Sequence, residues 1–366
     1  EERKDAVWLK PELVCEVEYT DWTRDGRLRH PSFQGLREDK PARDVSREMP
    51  DEKNDERVEA GMTRSNQAPG PVFSGITLSS PDKVLYPDIG ATKLDLAEYY
   101  EAVAPHMLPY LVKRPISLVR CPEGCAKECF FQRHGMKGMS EEIKQVDIPG
   151  GESKKKYLYI DNESGLFGLV QIGVLEIHDW GVSLGHLFEP DRIVLDLDPD
   201  EGLALDDLKS AAIEVRGFLD DLGLKSFLKS TGGKGLHLVA PIAPKQGWDE
   251  VKAFAKAVAD TLVEVRPDRY TANPLKRTRV GKIFVDYLRN QRGGSAIVNY
   301  STRAKRGAPV ACPLAWDELN GLKVAAPYTM RTLPARLRAL KRDPWEGFFS
   351  TRQSITAKAK KALKLA

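Results

Sequence analysis

No run of apolar residues in this chain approaches the roughly 20 that a membrane-crossing helix needs, which excludes a helical membrane span. The chain opens Glu1-Glu2-Arg3-Lys4, with neither an initiator Met nor the apolar stretch of a secretory signal. The expectation is a piece of a larger protein that stays in the cytoplasm. Cysteine is scarce, at five residues, an odd count that fits a reducing compartment better than a disulfide framework. Cys121, Cys125 and Cys129 recur every fourth residue and, with His134, could ligate a metal. Structural zinc sites pair cysteines more closely, so small buried thiols are the competing explanation. No internal repeat is visible, and there is no Walker A loop, because Lys234 is followed by Gly235 and an apolar strand rather than by Ser or Thr and a helix.

At 366 residues, 41% hydrophobic and 30% charged, the chain suits two or three soluble units with a sizeable core. Its net charge of +3 hides a strong asymmetry. From Arg266 to Arg306 eleven basic side chains stand against two acids, Asp268 and Asp286, whereas the first sixty residues lean acidic. Such a basic segment suits a polyanion, although many charge runs are simply solvated surface.

Residues 1–40 read as a small β unit with an Asp25-Gly26 turn, and 41–74, with four prolines, as a flexible linker. The main domain is expected over 75–350 and a basic tail over 351–366. Thr92 and Asp95 form a capping-box pattern that opens a helix to about His106. Residues 115–120, 157–161 and 169–177 read as strands. Apolar spacing predicts helices over 205–222 and 249–265. Helices interspersed with strands indicate an α/β or α+β class with a mixed sheet core flanked by helices.

In Ile193-Val194-Leu195-Asp196-Leu197-Asp198-Pro199 apolar and acidic residues alternate with the two-residue period of a strand, so Asp196 and Asp198 share a face. Two carboxylates brought together call for a hard divalent cation, unless the face is merely solvated. A third carboxylate, Asp286, lies in another apolar strand, Ile283-Phe284-Val285-Asp286. Three such groups can hold two metal ions about 3.5–4 Å apart for in-line phosphoryl displacement. Between these strands, Thr231-Gly232-Gly233-Lys234-Gly235-Leu236-His237 is either an ordinary hairpin turn or a phosphate cradle of backbone N–H groups with Lys234 as a point charge. His178 can be structural or catalytic, and Phe130-Phe131 core or a base-stacking platform. Lys83 and Lys93 bracket the start of the first helix, where a terminal phosphate can bind.

The order of these pieces, from Lys83 and Lys93 through Phe130-Phe131, His178, Asp196-x-Asp198 and the 231–237 turn to Asp286-Tyr287-Leu288-Arg289 and Arg303, resembles the polymerase domain of bacterial ligase D. That family belongs to the archaeo-eukaryotic primase superfamily. Residues 1–40, ending in Arg37-x-Asp39-Lys40, resemble the end of an ATP-dependent DNA ligase OB-fold, so this piece is not expected to ligate although its parent is. The resemblance implies a primase-polymerase-like fold and primer extension at DNA gaps and break ends in nonhomologous end joining. NTPs or dNTPs would be the substrates and two Mn²⁺ or Mg²⁺ ions the cofactors. It also implies work beside the Ku end-binding protein and the parent's ligase module, in a nucleoid-associated bacterial setting. Asp196, Asp198 and Asp286 would be the metal ligands. His178, Thr231, Lys234, His237, Arg279, Arg289 and Arg303 would surround the nucleotide, Phe130 and Phe131 would stack on bases, and Lys83 and Lys93 would hold a 5′-phosphate. Thr231 stands where the family usually has Ser, a change that keeps the hydroxyl. The alternatives are a metal-dependent nuclease or phosphoesterase and a non-catalytic module that binds DNA ends.

Overall fold

The computed structural model describes residues 14–18, 21–22, 28–29, 32–37, 70–149 and 156–365. In the first part, Val14–Glu18 pairs antiparallel with Ser32–Arg37, and Asp21–Trp22 with Leu28–Arg29. The Asp25-Gly26 turn and residues 41–69 of the expected linker lie outside the described residues. The end of that segment is structured. Val72–Phe73 pairs with Ile76–Thr77, and Phe73 stacks on Phe167 with ring centroids 5.1 Å apart, so an aromatic side chain draws the domain boundary several residues before Gly75.

Two six-stranded sheets carry the domain. In chain order their strands are β1 (Ile116–Arg120), β2 (Phe130–Gln132), β3 (Ile143–Val146), β4 (Tyr157–Ile160), β5 (Val174–Trp180), β6 (Arg192–Pro199), β7 (Phe227–Ser230), β8 (Leu236–Pro241), β9 (Tyr270–Thr271), β10 (Ile283–Asp286), β11 (Ser295–Ile297) and β12 (Cys312–Leu314). The first sheet runs β3-β4-β1-β5-β11, with β2 also on β1. The second runs β9-β10-β6-β8-β7-β12, antiparallel except for the parallel β9-β10 pair. This is the mixed α/β arrangement expected from the sequence.

Helix α1 (Lys93–Leu111) starts as its capping box dictates, with the Asp95 N–H donating to Thr92 Oγ1 and the Thr92 N–H to Asp95 Oδ2. It continues a turn beyond His106 despite Pro105 and Pro109, each of which removes a backbone donor. Burial of Met107, Tyr110 and Leu111 holds that last turn in place. Leu169 to Gln171 belong to helix α2 (Glu163–Gln171) rather than to a strand, and β5 begins only at Val174. The Asn162 cap on the Gly165 N–H starts that helix, and a left-handed Gly173 turns the chain into the strand. Helices α3 (Leu205–Asp221) and α4 (Trp248–Val265) bury the apolar faces read from the sequence, Leu208, Ala211, Val215 and Leu219 on one and Val251, Phe254, Val258 and Leu262 on the other. Both pack in one apolar cluster with Leu195, Leu197, Leu238 and Val285 of the second sheet.

Two stretches carry structure that the sequence reading did not describe. The basic stretch packs against the domain over its described residues, 351–365. Ile355, Ala359 and Leu363, spaced four apart, bury in the α3-α4 core around the short helix Ala357–Ala362, and the Gln353 amide exchanges two hydrogen bonds with the Lys225 backbone. The many lysines mask this narrow apolar stripe. The cysteines, too, depart from the reduced set or metal cluster considered above: Cys121 and Cys129 form a disulfide, Cys125 is free, and His134 packs on Tyr157 instead. The antiparallel register that pairs Arg120 with Phe130 puts residues 121 and 129 opposite each other.

Candidate active site

The second sheet changes character along β6. Val194, Val239 and Phe227 are cross-strand partners and belong to the core shared with the first sheet. Two residues further on, the corresponding row is charged. Asp196 faces Asp286 across β10 and His237 across β8, and His237 faces Lys229 across β7. Asp198, two residues beyond Asp196 on the same strand, shares that face. Leu195 and Leu197 point the other way, into the core under α3 and α4.

Two arginines, a lysine and a histidine hold these carboxylates. Arg289 lies 3.3 Å from Asp196 and 3.2 Å from Asp286, and His237 Nε2 lies 3.3 Å from Asp196. Asp198 is paired with Arg279 at 3.1 Å and Lys234 at 3.4 Å, while the Arg279 guanidinium rests on the Phe284 ring. Burial pushes the Asp196 carboxyl up, but His237 and Arg289 prevail and hold it well below the usual range. For Asp198 and Asp286 burial wins, reinforced by the Asp196 charge, and both sit above the ordinary value. Burial also drives the His237 imidazole down to about 4, so it is neutral at pH 7.

The Gly-Lys turn lies directly over this row. Thr231 Oγ1 donates to the Gly235 carbonyl and accepts the Gly233 N–H, which closes the loop on itself. A Cβ at Gly235 would stand 2.6 Å from the Leu197 carbonyl oxygen, so only glycine lets β8 leave the turn so close to the carboxylate strand. A cleft of about 200 Å³ opens between the two sheets. His178, Asp196, Asp198, Thr231, Lys234, His237, Arg289 and Arg303 all line it, joined by Lys305 and by Ser295–Ile297 of β11. Asp286 and Arg279 adjoin it through their ion pairs with Arg289 and Asp198.

The remaining sequence candidates lie apart from this cleft. Lys93 is 6% exposed, and its ammonium donates to the Ser79 carbonyl and the Gln171 amide oxygen. Lys83 is its neighbour and pairs with Glu123 at 2.6 Å. Burial, then the Lys83 charge, brings the Lys93 amine down to about 8. Phe130 and Phe131 are both exposed on β2, and as successive strand residues they point to opposite faces. Phe131 pairs with Val119, which pairs in turn with Glu176, so Phe131 shares the sheet face that carries Glu176.

Among the described residues no three His, Cys, Asp or Glu side chains are gathered as a ready-made metal cage. The donor chemistry nevertheless fits a hard divalent ion. Three carboxylates on one face of two paired strands offer oxygen ligands only, and burial, reinforced by the Asp196 charge, keeps two of them reluctant to ionise.

Residues 92–345 match the family described as the LigD primase-polymerase domain, and residues 1–40 match the C-terminal region of ATP-dependent DNA ligases. The chain belongs to the LigD primase-polymerase family. It is 42% identical over 367 residues to the multifunctional non-homologous end joining protein LigD of Pseudomonas aeruginosa, an alignment covering 99% of this chain and 43% of that protein. To the bifunctional LigD of Bacillus subtilis it is 29% identical, over 73% of this chain and 43% of that one. The chain thus spans less than half the length of these curated relatives. The solved polymerase domain of Mycobacterium tuberculosis ligase D, in complex with DNA, superposes with a TM-score of 0.70 at 30% identity over 75% of this chain and 98% of that one.

Three residues in or behind this LigD-family cleft were not singled out from the sequence. Lys305 sat unremarked in the basic stretch two residues past Arg303, and its ammonium approaches Gly233. Lys229, 4% exposed, donates to the Ile297 carbonyl of the first sheet and is brought down by burial to about 8. Glu176 accepts from His178 Nε2 at 2.9 Å and pairs with Arg303 Nε at 3.1 Å. The two-residue spacing from Glu176 to His178 on a strand was the available signal. Burial pushes the Glu176 carboxyl up, but His178 and Arg303 bring it from 4.5 down to about 2. Because the folded value is depressed, Glu176 stabilises the fold fully above pH 4.5 and loses that contribution as pH falls toward 2. A Glu176→Gln variant is therefore expected to show a shallower acid limb in stability against pH, read by urea denaturation at several pH values.

Proposed function

We propose that this domain is a divalent-metal-dependent nucleotidyltransferase that extends a primer 3′-OH at DNA gaps and break ends, as the polymerase part of an end-joining ligase. The observation that carries the reading is the Asp196–Asp286 pair with Asp198 on one sheet face, beside a glycine turn and a ring of cations. Asp196, Asp198 and Asp286 would hold Mn²⁺ or Mg²⁺, which when bound lowers the pKa of the attacking hydroxyl and neutralises the leaving phosphate. Lys234 and Arg303 would hold the triphosphate of an NTP or dNTP beside the 231–235 turn, with Arg279, Arg289, His178, Thr231 and His237 around it. Arg289 and Arg279, which now neutralise the carboxylates, would be free to turn to phosphate once a metal ion takes that role. Phe131, on the face that carries Glu176, would stack on a base, with Phe130 at the edge of the same strand.

Residues 1–40 would be the end of a ligase OB-fold, 41–69 a linker, and Ku and the ligase module would be working partners. Labelled primer-template mixed with NTP and Mn²⁺ tests the reading. Lengthening of the primer supports it, shortening means a nuclease, and metal-indifferent binding without turnover means an end-binding module.

Lys83 and Lys93 are assigned to the 5′-phosphate of a gap. Lys83→Ala is expected to weaken binding to phosphorylated gaps by about tenfold, with little change for unphosphorylated ones, as direct binding titration would show. An unchanged ratio between the two substrates removes that role.

A further inference from the structure

Glu176 touches neither the carboxylate row nor the turn, yet it holds two residues that line the cleft. Its Oε2 accepts from His178 Nε2, while Oε1 pairs with Arg303 Nε and accepts the Ala304 N–H at 2.8 Å. Arg303 Nη1 donates in turn to the Thr231 carbonyl at 2.8 Å, so one carboxylate in the first sheet is linked to the phosphate-type turn of the second. The register of β5 against β1 shifts between Val174 and Glu176, the kind of local irregularity that re-aims a side chain beside a site. A carboxylate can only accept. The proton on His178 therefore sits on Nε2, and the neutral ring offers Nδ1 as an acceptor.

We propose that Glu176 is a positioning residue for nucleotide binding: it fixes the Arg303 guanidinium and the His178 tautomer before substrate arrives. The inference rests on the nucleotidyltransferase reading. A freely rotating arginine would lose side-chain entropy on each binding event, whereas one already held by Glu176 and Thr231 does not. Gln at this position is isosteric, but it carries no charge to pair with Arg303, and its single amide oxygen cannot accept from both His178 Nε2 and the Ala304 N–H.

The test measures NTP binding and primer extension for the parent, Glu176→Gln, Glu176→Asp, Arg303→Ala and the Glu176→Gln/Arg303→Ala pair. Glu176→Gln is expected to raise KM for NTP about tenfold or more, with a smaller change in kcat and unchanged affinity for primer-template. Glu176→Asp, which keeps the charge, is expected to recover part of that loss. In the Arg303→Ala background the Gln substitution is expected to add less than it does alone, because the two act together. A purely structural role would lower the melting temperature and the active fraction while leaving KM unchanged. Parental KM in Glu176→Gln, or fully additive effects in the pair, would overturn the proposal. Should Glu176→Gln not fold, parental KM in Glu176→Asp together with unaltered NTP binding would do the same. A parent that neither binds nor incorporates NTP refutes the nucleotidyltransferase reading itself, a result distinct from these.

Discussion

Asp198→Ala is expected to cut primer extension by at least about a hundredfold, the scale on which a positioned charge at a reacting centre acts. Asp198 is the informative choice among the three carboxylates. Asp196 lies between His237 and Arg289, and its removal would leave both without their partner. Asp198 is more exposed, its partner Lys234 is half exposed, and Arg279 keeps its contacts with the Phe284 ring and the Pro274 carbonyl when the carboxylate is gone. Removing one of three crowded carboxylates also relieves repulsion. The melting temperature without metal is therefore expected to stay level or rise, and affinity for primer-template DNA, with its steep fall in rising salt, to persist. Undiminished incorporation by the purified variant would remove the metal-ligand assignment.

Gly235→Ala is the second large effect. A methyl group there would meet the Leu197 carbonyl oxygen at 2.6 Å and an Asp196 carboxylate oxygen at 3.3 Å, and the backbone oxygen cannot move without shifting β6. The expected cost is about 1–3 kcal/mol of stability, as for overpacking elsewhere. Displacement of Asp196 by a fraction of an ångström would add a loss of activity approaching a hundredfold, on the order seen when reacting groups are misplaced. Gly217→Ala is the control. That glycine lies exposed on α3 with nothing near its Cβ position, and alanine there is expected to stabilise by about 0.5–1 kcal/mol. Urea denaturation and primer extension run side by side on both variants would separate the cases, and matching behaviour would discount the close approach at Gly235.

The carboxylate strand was legible in the sequence because a half-buried strand writes its two faces alternately, and Asp196 and Asp198 stand out between leucines. Helices α3 and α4 were legible for the same reason at a different period. What the sequence withheld was partnership across space. Nothing in the local pattern says that Asp286 pairs with Asp196 or that Lys229 extends the row, since register is decided between strands. Glu176 was passed over because its significance lies in Arg303, far along the chain. The disulfide was missed because compartment was inferred from composition, while the pairing follows from the β1-β2 register. The closing helix was missed because lysines dominate a stretch whose three apolar residues do the packing.

Lys229 gives the cleft a direction. Its buried ammonium joins the second sheet to the Ile297 carbonyl of the first, and parting the sheets there would strand a charge at a cost of several kcal/mol. The wall at Lys229 is therefore a fixed hinge-post rather than a door. Lys234 and Arg289, by contrast, stand on the solvent side with roughly half of each side chain free, at 52% and 41% exposure. With Lys229 closing one wall and these two cations on the solvent side, the cleft presents positive charge outward and suits an anionic ligand.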